Sequence, residues 1–211
     1  MDRALTAILG LVVAAVTVLL GLAVVLTVMV DDVDDIDAAR VPIETGFASV
    51  EHDPDAARDL LDAWTRWRTG TFVATGTWTR TLDERPDDPL VGDVFVAQDP
   101  PQRLVVRLGS VVTAIDDAER FERVLVAELS LIGGYVLGPE RLYDVSSGDS
   151  AGCYRAELVV PALASPWGRW AEYCFDGESG ALLSATVRRQ SALDVEQTRA
   201  IRAEVSPDDF S

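Results

Sequence analysis

The pattern of apolar and polar positions divides the chain into three stretches. From Ala4 to Val30 every residue is uncharged, and Leu, Val, Ile and Ala dominate. As a helix this run is about 40 Å long, enough to cross a hydrocarbon core of about 30 Å with some tilt. It predicts a transmembrane helix over about residues 4–30, so that 1–30 form a membrane anchor. A cleaved signal peptide is the alternative, but its apolar core is about 7–15 residues long and ends in a small-x-small site. This run instead ends Val28-Met29-Val30 and then turns acidic.

Residues 31–52 carry acid, then Val41-Pro42 and Gly46, with no sustained period. They predict an acidic tether that self-repulsion keeps extended. A single domain follows over residues 53–211.

Within that domain the period changes three times. Asp53-Pro54 has the form of an N-cap and a first-turn proline. Ala57, Leu60, Leu61, Trp64 and Trp67 then recur at helical spacing up to Gly70. From Thr71 the period is two: threonines alternate with Phe72, Ala74, Gly76 and Trp78, a strand pattern. Asp83 to Pro89 reads as a turn, Leu90 to Gln98 as a second strand, and Arg103–Leu108 with Val111–Ile115 as a hairpin about Gly109-Ser110. Ala118 to Ile132 predicts a second helix with the stripe Phe121, Leu125, Leu129, Ile132, closed by Gly133-Gly134. Strand patterns return at Arg141–Val145, Cys153–Val160, Arg169–Asp176, Ala181–Gln190 and about Val195–Val205. The expected order is helix, about four strands, helix, about five strands. This is an α+β domain, a mainly antiparallel sheet with two packed helices.

Charge places the domain. Arg3 precedes the apolar run; Asp31, Asp32, Asp34, Asp35 and Asp37 follow it. Positive charge stays in the cytoplasm. The expected topology is therefore a single pass through the cell membrane, N-terminus inside, domain extracytoplasmic. The net charge of −17 makes nucleic acid a poor partner. Cys153 and Cys174 are the only cysteines. They open one predicted strand and nearly close the next, and outside the cytoplasm such a pair is expected as a disulfide.

Candidate chemistry is sparse. The chain has no Lys and no Asn, and its one histidine, His52, falls in the tether, where exposure is expected. There is no P-loop or Schiff-base lysine and no multi-histidine metal set. No nucleophile, base and orienting group can be nominated, so the domain reads as non-enzymatic, with no metal or cofactor expected. The aromatic residues stand out. Trp64, Trp67, Phe72 and Trp78, with Phe121, Leu125 and Leu129 of the second helix, are either core or the lining of an apolar cavity between sheet and helices. Trp167 and Trp170, flanking Gly168 after Pro166, read as an exposed loop.

Over residues 54–210 the pattern resembles the LolA-like lipoprotein-carrier half-barrels, including RseB-like domains. The resemblance rests on the first helix with Thr71 to Arg80, and on Val96-Ala97-Gln98-Asp99-Pro100-Pro101-Gln102-Arg103-Leu104. It rests further on Cys153-Tyr154, on Tyr173-Cys174-Phe175-Asp176 with Gly180-Ala181-Leu182-Leu183, and on the close at Val205 to Phe210. It implies a curved sheet, a half-barrel, wrapping helices around an apolar cavity, and a lipid or lipoprotein ligand or a sensor role. A membrane anchor departs from a shuttling carrier. It favours either a fixed receptor for a lipid or acyl ligand or a sensor or accessory domain that docks another envelope protein.

Overall fold

The structure is a computed structural model that describes residues 51–159 and 165–211. The expected membrane anchor and nearly all of the tether lie outside the described residues. Among those described, no helix is long and apolar enough to cross a membrane.

Helix α1 (Pro54–Thr69) begins where the Asp53 carboxylate accepts from the N–H groups of Asp55 and Ala56. That cap satisfies donors left over at the helix start. Strands β1 (Phe72–Leu82), β2 (Arg85–Asp99), β3 (Arg103–Leu108) and β4 (Val111–Ile115) follow, then helix α2 (Ala118–Val136). Strands β5 (Tyr143–Ser147), β6 (Cys153–Leu158), β7 (Trp170–Phe175), β8 (Leu182–Arg188) and β9 (Ala192–Arg202) complete the sheet. A short 3-10 turn, Pro207–Phe210, ends the described chain.

The nine strands form one sheet in the order β4-β3-β2-β1-β9-β8-β7-β6-β5, each antiparallel to its neighbours. The sheet is curved, with both helices on its inner face. The helix–strand order read from the sequence is the order found. Consecutive strands pair directly on either side, and β9 joins the two groups by lying between β1 and β8.

Because side chains alternate along a strand, the register fixes which residues face the helices. Phe72, Ala74, Val94, Val96, Leu104, Val106 and Leu108 point inward from β1–β3 and are buried. From the other end come Tyr143, Val145, Ala156, Ala171, Tyr173, Phe175, Ala185 and Val187. Helix α1 contributes Ala57, Leu60, Trp64 and Trp67 to the same core, and α2 contributes Phe121, Ile132 and Val136. On the outer face, Phe210 of the last turn lies under Arg103, 4.3 Å from guanidinium to ring.

Cys153 and Cys174 are directly opposite across β6 and β7 and form a disulfide. Closing a loop of this length contributes about 3 kcal/mol in the chain-entropy account.

Four expectations are corrected. Gly133-Gly134 does not end α2. The helix runs on to Val136, which is fully buried, so packing overrides the weak propensity of the glycines. Asp83 to Pro89 is not one turn. Asp83-Glu84 turn the chain, Arg85 pairs with Leu82 and Leu90 with Arg80, and residues 86–89 bulge between them. Pro86 and Pro89 have no N–H to give a ladder, which suits a bulge.

Trp167 is not exposed: it is stacked on Trp64 with ring centroids 5.7 Å apart, and Trp170 belongs to β7. His52 is half-buried, its Nδ1 3.5 Å from the Asp144 carboxylate, because Asp53 is tied to the sheet through its N–H to the Val145 carbonyl.

Candidate functional site

The space between the inner sheet face and the helices holds two different environments. Toward β5–β8 it is aromatic and tightly filled. Trp64 sits centrally, its ring centroid 5.1 Å from those of Trp67 and Tyr173 and 6.1 Å from that of Phe175. Edge and offset contacts at these distances are the favourable aromatic geometries. The Tyr143 hydroxyl locks Trp167 from below. It donates to the Gly168 carbonyl at 3.1 Å and accepts from the Trp167 N–H at 2.9 Å. Burial pushes the Tyr143 phenol up to about 12 and the Tyr173 phenol upward as well. Gly168 has φ +67°, and a side chain there would meet the Arg188 carbonyl, which explains a glycine between the two tryptophans.

Toward β1 and β9 the interior is ionic. Arg68 of α1 donates from Nε and Nη2 to one carboxylate oxygen of Glu128 on α2, at 2.9 and 2.8 Å. The Trp64 indole donates to the same oxygen at 2.8 Å. This buried clasp ties the helices to each other. On the sheet, Arg80 and Asp194 are cross-strand partners joined at 2.6 Å, and Arg189 reaches the second Asp194 oxygen at 2.7 Å. Gln98 of β2 donates to the carbonyls of Trp67 and Gly70 and so fixes the end of α1 to the sheet.

Glu196 on β9 lies among these groups and differs from them. It is 4% exposed, and among the described residues its Oε2 has no hydrogen-bond partner. Loss of solvation raises its pKa to about 8, with the Arg68 charge pulling the other way. Trp78, its direct cross-strand neighbour, has a buried Nε1 that is also without a partner.

Glu196 faces a small, partly enclosed hollow with room for about one water molecule. Trp67, Phe72, Ala74, Val94, Val96 and Leu182 supply its apolar walls, and Thr75, Gly76 and Thr198 complete the lining. A side chain at Gly76 would come within 2.2 Å of the Gln197 carbonyl, so β1 and β9 approach closely here, at a register shift.

Of the residues expected to line a cavity, Trp67 and Phe72 do line this hollow, and Trp64 lies behind them in the filled aromatic cluster. Trp78 stands half-buried beside Glu196. Phe121 is buried on α2, while Leu125 and Leu129 are half-buried against the core and do not line the hollow. Sequence reasoning missed Glu196, Arg68, Glu128, Arg80 and Asp194. Three of them carried a signal: Arg68 is four residues after Trp64 and Glu128 seven after Phe121, each on its helix's buried stripe, and Arg80 is two after Trp78 on the same strand face.

No family model matches the chain, and no curated protein matches it in sequence. The described fold is similar to several solved structures. A LolA superfamily protein of Nitrosomonas europaea matches over 74% of this chain and 97% of its own, at 10% identity and a TM-score of 0.31. LprF of Mycobacterium bovis matches over 76% and 99%, at 12% identity and TM-score 0.36. MucB in the MucA/MucB complex of Pseudomonas aeruginosa matches over 72% of this chain, which spans 60% of that one, at 14% identity and TM-score 0.36.

The likeness is one of chain course, and the functional reading is built on the residues just described.

Proposed function

We propose that the protein is a membrane-tethered, extracytoplasmic binding domain that takes an apolar ligand, a lipid or acyl chain, between the inner sheet face and its helices. The observation that carries this reading is the partly enclosed hollow. Its walls are aliphatic and aromatic side chains, and its roof is α1, held to α2 by one ionic clasp. Ligand sites in domains of this kind are apolar concavities with few polar groups. The hollow is small, so a chain of any length enters as the helices lift from β1 and β2. The activity is binding and not catalysis. The apolar run over residues 4–30 supports the anchor, and a disulfide between Cys153 and Cys174 suits an oxidising, extracytoplasmic compartment.

The test is native mass spectrometry on residues 51–211, which contain all nine strands, both helices and the disulfide. The domain, secreted to a bacterial periplasm, is expected to carry a lipid-sized mass that is lost on denaturation. A clean apoprotein mass with no uptake from added phospholipid overturns the reading.

A second reading is favoured by one observation. Val91 and Val112 are 66% and 60% exposed near the β4 end of the sheet, and Val126 is 58% exposed on α2. Val112 lies on β4, an open edge of the sheet, and an exposed apolar group on such an edge offers another chain both contact and ladder positions. In this reading the domain is a sensor or accessory that docks an envelope protein.

A further inference from the structure

We propose that the hollow at Glu196 is a head-group socket that takes the terminal hydroxyl of an apolar chain and excludes carboxylate and phosphate ends. This rests on the apolar-ligand reading above and adds a ligand class to it.

The argument starts from what is unsatisfied. A buried carboxyl without a hydrogen bond is costly, and native proteins keep few of them. Glu196 Oε2 is such a group, and Glu196 lines the hollow. A hydroxyl placed there can donate to that oxygen or accept the carboxyl proton, since it carries one hydrogen and two lone pairs. The Thr198 hydroxyl does not fill the role, because its own hydrogen is committed to the Leu182 carbonyl at 2.6 Å.

Charge and size narrow the class. The cation whose charge acts on Glu196, Arg68, is already spent on Glu128 through two nitrogens. An anionic head would lie beside a carboxyl group without a cation of its own, in a mostly apolar enclosure, and burying such a charge is prohibitive. A neutral carboxyl group suits a neutral partner, and burial keeps Glu196 largely protonated at pH 7. At Glu196 the hollow has room for about one water molecule, enough for a hydroxyl, and the chain behind it is accommodated as the helices lift. Trp67, Val94 and Val96 then flank the chain that follows the head group.

The experiment titrates the domain of residues 51–211 with 1-octanol, octanoate, octylamine and 1-chlorooctane, read by tryptophan fluorescence. Octanol is expected to bind at least about tenfold more tightly than octanoate and chlorooctane, the worth of a buried hydrogen bond. Glu196→Leu is expected to erase the preference for octanol over chlorooctane. Near-ultraviolet circular dichroism reports that the variant is folded, and the four-probe comparison on the unsubstituted domain stands without it. Equal binding of octanol and chlorooctane overturns the socket and leaves the apolar site standing. Tightest binding of octanoate or octylamine also overturns it. Binding of none of the four overturns the apolar-ligand reading itself.

Discussion

Glu196 makes the stability of the domain depend on pH in a direction opposite to that of a salt-bridged acid. Its carboxyl titrates near pH 8 when folded and near 4.5 when unfolded, so between those values the folded state holds the extra proton. The Glu196 contribution to stability is therefore most favourable below pH 4.5 and falls by up to about 1.4 kcal/mol per pH unit as pH rises to 8. Melting temperature measured from pH 5 to 8 should fall in the native protein and change far less in Glu196→Gln. Tyr143 offers a second residue-scale check. Tyr143→Phe leaves the Trp167 N–H without its acceptor in a buried site and should cost about 1–3 kcal/mol in urea unfolding. An unchanged midpoint would mean that the Trp167 loop is not held by that hydroxyl.

At the scale of the elements, the clasp between α1 and α2 is the contact to break. Glu128→Ala strands the Arg68 guanidinium and the Trp64 indole in the interior, and should destabilise by about 3–5 kcal/mol. Replacing both partners, Arg68→Met with Glu128→Leu, should cost much less, because no charge is then left unpaired. Denaturant midpoints of the single and double variants decide this. The elements themselves were largely legible in the sequence. The change from a helical period at Trp64 and Trp67 to a period of two at Phe72 to Trp78 marks α1 and β1 without ambiguity. The ionic interior was not legible. In β9, Asp194 and Glu196 alternate with Leu193 and Val195 and read as outward-facing charges, and only the pairing with β1 sets them on the inner face beside Arg80 and Trp78. The candidate site was half legible for the same reason. Its apolar walls follow from the pattern, but the one carboxyl group that gives it character belongs to a strand 120 residues from Trp78's neighbour Gly76.

At the scale of the molecule, the sheet is one layer whose halves meet only through β9. The disulfide lies wholly in one half, between β6 and β7, on the face turned away from the helices. Reducing it should lower stability by about 3 kcal/mol while leaving the β1–β4 half and the ionic clasp in place. Thermal melts with and without reductant measure this. A loss of all tertiary signal on reduction at 25 °C would show that the domain has little stability to spare.

Placing β9 between β1 and β8 also sets a timetable. Val73 pairs with Arg202, so the centre of the sheet is joined from segments near opposite ends of the described chain. Such long-range pairing makes folding slow, in the millisecond-to-second range typical of non-local β topologies. As the chain is synthesised, β9 emerges after the eight strands it must join. Until it arrives, β1 and β8 each present an open edge, the kind of template that invites association with other chains. The nascent domain is thus most exposed to misassembly in the interval before β9 is available, and a chain cut short before Ala192 should aggregate.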